Sequence, residues 1–106
     1  MNPKVKSRWL AALRSGEYKQ VIGALRNGNG FCCLGVLTDL RQRELGETWR
    51  TNPDESELTS SEGYVCYLSP AIKEWSEIKS VGLTLSSMND RGDTFDEIAA
   101  YIEENL

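Results

Sequence analysis

Apolar positions along this chain change their spacing several times, and each change marks a predicted element. After Asn2-Pro3, the residues Val5, Trp9 and Leu13 recur at helical intervals. Asn2 stands where a cap belongs, Pro3 takes the first helical position, and Ser15-Gly16 supplies the stop. Next, "IGALR" and "GFCC" flank Asn27-Gly28-Asn29, and Asn-Gly between two apolar runs predicts a hairpin with strands at about 21–26 and 30–32. A helix over about 33–43 follows, because Cys33, Leu37 and Leu40 share one face with Leu34 beside them. Gly35 inside that helix costs about 1 kcal/mol relative to alanine, so it signals a close backbone approach or a tight entry from the strand.

Residues 46–63 lose all periodicity and collect Gly, Asn-Pro, Ser and acidic residues. They predict a flexible acidic loop, with room for a short strand around Trp49. "YVCYL" alternates as a strand does, with Val65 and Tyr67 on one face and Tyr64 and Cys66 on the other. Ser69-Pro70 opens a helix that points Ile72, Trp75 and Ile78 inward. "VGLTLSSMNDRGD" predicts a short extended piece, a helical turn capped by Thr84, and a stop at Gly92. The capping box Thr94-x-x-Glu97 opens a last helix with Phe95, Ile98, Ile102 and Leu106 inward. The sum is one α+β domain over residues 1–106, with four or five helices packed around a short antiparallel sheet.

Composition adds bounds to this picture. A chain of 106 residues, 40% hydrophobic and 26% charged, is long enough for one modest core and too apolar for disorder. Its apolar runs are too short for a membrane span, and charges interrupt the first one, unlike a secretory signal. With three cysteines, an odd number, a reducing cytoplasmic setting is the expectation. The net charge of −4 conceals an asymmetry: residues 1–50 carry nine Lys/Arg and four Asp/Glu, whereas residues 51–106 carry three and twelve. The halves can attract each other, solvate their own surfaces, or form a basic face beside an acidic one. General nucleic-acid binding is not expected without a dominant positive field.

Histidine is absent, which removes Ser-His-Asp and Cys-His catalysis, and three cysteines are too few for most all-thiolate zinc sites. No metal or cofactor is therefore expected. The adjacent pair Cys32-Cys33 admits three uses: core packing, which its apolar neighbours favour, a wall against a ligand, or a nucleophile activated at a helix start. "RNGNG" is glycine-rich and precedes a helix, as phosphate-cradling loops do, but it lacks the P-loop spacing, so a hairpin turn is the plainer use. A small anionic ligand would still suit the neighbourhood of Tyr18, Lys19, Arg26, Asn27 and Asn29. Trp49, in a polar loop between Thr48 and Arg50, is the aromatic residue best placed to touch a ligand or partner. Asn89, Asp90, Asp93 and Asp96 miss calcium-loop spacing and suit helix capping instead. "SSMNDRGDTFDEIAAYIEE" looks like the opening of a helix-turn-helix, but its acidic residues would repel phosphates.

"RWLAALRSGEYKQ", "LRNGNGFCCLGVLTDL", "LSPAIKEW" and "LTLSSMNDRGDTFDEIAAYIEENL" together resemble a family of small phage and prophage proteins. Its members share a Trp-x-x-Ala-Leu-Arg-Ser-Gly opening, a Cys-Cys-Leu-Gly-Val-Leu centre and a Leu-Asn-Asp-x-Gly-x-Ser-Phe-like ending. This chain has Met88 where leucine is usual and Thr94 where serine is usual. The resemblance spans nearly the whole chain outside residues 51–63, and it implies an accessory role in an infected host's cytoplasm without assigning catalytic residues. Three functions stand as expectations. First is a binding protein that sequesters a nucleotide-like signal at Tyr18–Cys33, with Lys19 and Arg26 on phosphates and Cys32, Cys33 and Trp49 as walls. Second is an inhibitor whose acidic half covers a host defence protein. Third is an enzyme built on Cys32 or Cys33. Self-association is open to a chain this small.

Overall fold

Helix ends form where the side chains can close them. In the computed structural model, which describes residues 1–51, 56–78 and 82–106, Asn2 accepts hydrogen bonds from the N–H groups of Lys4 and Val5. That closes the start of α1 (Pro3–Arg14), and Gly16 at φ +78° turns the chain away after it. Ser69 caps α3 (Pro70–Ser76) through the Ile72 N–H, and Thr94 with Glu97 forms the reciprocal capping box of α5 (Phe95–Asn105). Between them lies α4 (Gly82–Asp90). It begins two residues before Thr84, which sits inside the helix and is not its cap. Of the extended piece expected before it, Val81 lies outside the described residues.

The hairpin at Asn27–Gly30 forms as its turn residues dictate. Its strands β1 (Arg26–Asn27) and β2 (Gly30–Phe31) are two residues each, shorter than expected. The chain bends through residues 22–25, where Gly23 has φ +87°, so no ladder can run back to Val21. The expected strand at Tyr64–Leu68 is likewise replaced by bends, tied to the hairpin by one bond from the Leu25 N–H to the Val65 carbonyl (2.7 Å). The third strand is β3 (Glu57–Leu58), inside the segment expected to be an acidic loop, whose residues 52–55 lie outside the described ones. Strand order is β2-β1-β3, all antiparallel, with Arg26 opposite both Phe31 and Leu58. Bridges of Gln20 to Phe31 and of Arg50 to Thr59 widen the sheet at its two edges.

Among the described residues, five helices accompany this sheet, as an α+β domain, and α2 packs against β2. Its centre is α2 (Cys33–Leu45), whose first seven residues are all buried. Trp9 of α1 is fully buried against it and donates its indole N–H to the Cys33 carbonyl (3.0 Å). Ile98, Ala99 and Ile102 of α5 join the same core, where α5 packs on α1. Gly35 meets the hairpin so closely that a Cβ there would overlap the Leu25 carbonyl, which is the close approach its place in a helix predicts.

Candidate functional site

In an antiparallel pair, residues directly opposite each other project to the same face. Arg26 therefore lies beside Phe31, with its guanidinium carbon 4.6 Å from the Phe31 ring centroid and 5.7 Å from that of Trp49. The rings support one another edge to face: Tyr18 on Phe31 at 4.9 Å and 83°, Phe31 on Trp49 at 6.0 Å and 72°. Behind them, Asp39 of α2 is 4% exposed, accepts two hydrogen bonds and pairs with one cation. Its Oδ2 accepts the Tyr18 hydroxyl (2.6 Å) and forms an ion pair with Arg43 Nε (2.9 Å), and its Oδ1 accepts the Trp49 indole N–H (3.0 Å).

The consequence is a fixed aromatic platform that carries a cation. Tyr18 and Trp49 turn their polar tips inward to one buried carboxylate, and their ring faces and edges are left for packing. Burial first, then the hydrogen bond that Tyr18 donates to Asp39 and the charge of that carboxylate, push the Tyr18 phenol well above its ordinary range. Tyr18 is thus held protonated and is not a ready proton acceptor. Arg26 is half-buried, and among the described residues it pairs with no carboxylate. A guanidinium stacked on rings keeps its in-plane N–H donors for an oxyanion.

Of the residues singled out in the sequence, Tyr18, Arg26 and Trp49 converge here. Trp49 lies in the irregular segment between Thr48 and Arg50, half-buried, with its indole N–H turned inward to Asp39. Asn27 shapes the turn instead of facing a ligand, because its Oδ1 accepts the N–H groups of Asn29 (2.7 Å) and Gly30 (3.2 Å). Asn29 and Lys19 are exposed, and the Lys19 carbonyl accepts the Phe31 N–H (2.8 Å). Phe31, Asp39 and Arg43 join the site without having stood out in the sequence. A signal for Asp39 existed, since it is the one charge in the apolar run "CCLGVLTDL", on a helix otherwise buried there.

The structure moves Cys32 and Cys33 from a ligand wall into the core. Both are buried, Cys33 completely, and burial raises the pKa of each thiol, which opposes thiolate formation. The start of α2 is no phosphate cradle either. Asn89 Oδ1 takes the Cys33 N–H (3.2 Å) and Cys32 Sγ takes the Gly35 N–H (3.4 Å), all in the interior. Asn89 is fully buried and also bonds Gln20 and the Val21 carbonyl, so it clamps α4 to the edge of the sheet. Asp90 accepts the Gly23 N–H (3.3 Å) and Asp93 pairs with Arg91 (2.7 Å). Among the described residues no group of Cys, Asp and Glu is placed to hold a metal ion, and no helix is long and apolar enough to cross a membrane.

The charge asymmetry is partly used within the fold. Arg14 pairs with Glu103 and Arg8 with Glu44, both at 2.8 Å, while Lys6 donates to the Glu103 carbonyl (3.0 Å). These contacts join the basic first helix to the acidic last one and to α2.

Over residues 1–106 the chain belongs to the family described as Domain of unknown function (DUF8296). No curated protein and no solved structure matches it significantly.

Proposed function

We propose that this chain binds a small anionic, nucleotide-like ligand through the Arg26 platform without transforming it. The observation that carries the reading is the stacked Arg26 guanidinium, without a carboxylate partner among the described residues, over Phe31 and over Trp49, which Asp39 pins. Such a group presents parallel donors to a phosphate, and nearby aromatic surface suits a base. The resemblance to phage and prophage proteins supports a role as a phage-encoded counter-defence accessory, which sequesters a host signalling nucleotide in the host cytoplasm.

Calorimetric titration of the full chain with adenosine monophosphate, cyclic dinucleotides and inorganic phosphate tests this. We expect phosphate-bearing ligands to bind, Arg26→Ala to weaken them at least about tenfold, and Arg26→Lys to restore part of the loss, as for a charge-assisted hydrogen bond. Failure of all these ligands to bind at millimolar concentration sinks the proposal.

A further inference from the structure

The end of α1, the segment from Gly16 to Gln20 and the start of α5 enclose a cleft of about 290 Å³. Leu13 and Phe95 give it apolar surface and Tyr18 a ring. Most polar groups on its lining are already occupied. Gln20 donates to Asn89 and to the Asp93 carbonyl and accepts the Phe95 N–H. Thr94 closes its capping box, and Arg14 is paired with Glu103. Asp96 differs. It is exposed in the first turn of α5, and among the described residues neither its carboxylate nor its N–H has a hydrogen-bond partner.

A backbone N–H and a carboxylate on one residue set a donor beside an acceptor. An amino-bearing nucleobase offers the complement: a ring nitrogen that accepts and an exocyclic amine that donates. The apolar surface and the Tyr18 ring suit a flat heterocycle, and an open cleft of this size admits one. Tyr18 also links the cleft to the candidate site, since its ring touches Phe31, over which Arg26 is stacked. Phe31 is the one ring between Tyr18 of the cleft and the Arg26 guanidinium.

We infer that this cleft takes an amino-bearing base while Arg26 takes the phosphate of the same ligand, with Asp96 reading the exocyclic amine. The inference rests on the nucleotide-like reading above, and it adds which class of base is preferred and where it lies. Its test is titration of the ¹⁵N-labelled full chain with adenosine, purine riboside (which lacks the amine) and adenosine monophosphate. Adenosine is expected to shift the amides of Gly16, Thr94, Phe95 and Asp96 and to bind about tenfold more tightly than purine riboside, the worth of one hydrogen bond to a charged group. Asp96→Ala, an exposed substitution, should erase that preference while the rest of the spectrum stays in place. Adenosine and purine riboside binding alike, or adenosine monophosphate shifting only residues around Arg26, overturns the cleft assignment and leaves the Arg26 proposal standing. No response to adenosine monophosphate overturns both.

Discussion

A single absent methyl group at Gly35 decides how near α2 can come to the hairpin. Any Cβ there would enter the Leu25 carbonyl, which is backbone and cannot swing aside. The Leu25 carbonyl also accepts the Cys32 N–H (3.0 Å), so moving it breaks the junction between sheet and helix. Gly35→Ala is expected to destabilise the chain by about 3 kcal/mol or more, against the small gain alanine brings to an ordinary helix. Urea denaturation checks this, and a stabilised variant would contradict the packing described. At Asp39 the logic is electrostatic. A buried carboxylate persists because two donors and the Arg43 charge compensate its lost hydration, and the two hydrogen bonds orient Tyr18 and Trp49. Neither contact could be located from sequence, because Asp39 meets Tyr18 across 21 positions and the bends that join them have no period.

At the scale of elements, local chemistry sets helix ends, and remote contacts set the extent of the strands. The box at Thr94 is complete, with Glu97 returning a bond to the Thr94 N–H (3.0 Å). Thr94→Ala should therefore cost about 1 kcal/mol, and Thr94→Ser should restore most of it, as read from denaturation midpoints. Equal stability of all three proteins would show that α5 is held by packing alone. The strands are shorter than the apolar runs flanking Asn27-Gly28-Asn29 promised. "VIGALR" has strand-like residues, yet Gly23 takes a positive φ, and the Gly23 N–H bonds Asp90 instead of a neighbouring strand. Ile22 is exposed while the consecutive Ala24 and Leu25 are both buried, which is the burial of a bent segment and not of a ladder. α4 itself starts at Gly82, earlier than the Thr84 signal indicates.

The molecule as a whole buries its titratable groups unevenly, and this sets its response to pH. Burial raises the pKa of the Cys32 and Cys33 thiols and of the Tyr18 phenol, so each holds its proton more firmly folded than unfolded. Their contribution is intact below the ordinary pKa of an unfolded thiol or phenol, about 8.5 and 10. Stability falls as pH rises beyond those values, because only the unfolded chain then releases protons. The carboxylates with lowered pKa, Glu44, Asp93 and Glu103, belong to surface pairs that solvent screens. Urea midpoints should therefore be lower at pH 10 than at pH 7, with little of the fall between pH 7 and 8. A flat profile up to pH 10 would contradict the burial of these groups.

The caps at Asn2, Ser69 and Thr94, the Asn27–Gly30 turn and the helical stripes were determined by the sequence alone, since each depends on residues within a few positions of one another. The packing use of Cys32-Cys33 was also legible, from apolar neighbours and the absence of histidine. Only the tertiary structure decided that Arg26, Phe31 and Trp49 share one face and that Asp39 pins the rings behind them. It also decided that the cleft opens between α1 and α5. Those relations join positions far apart in the chain, and they follow from the side that each bend turns toward the core.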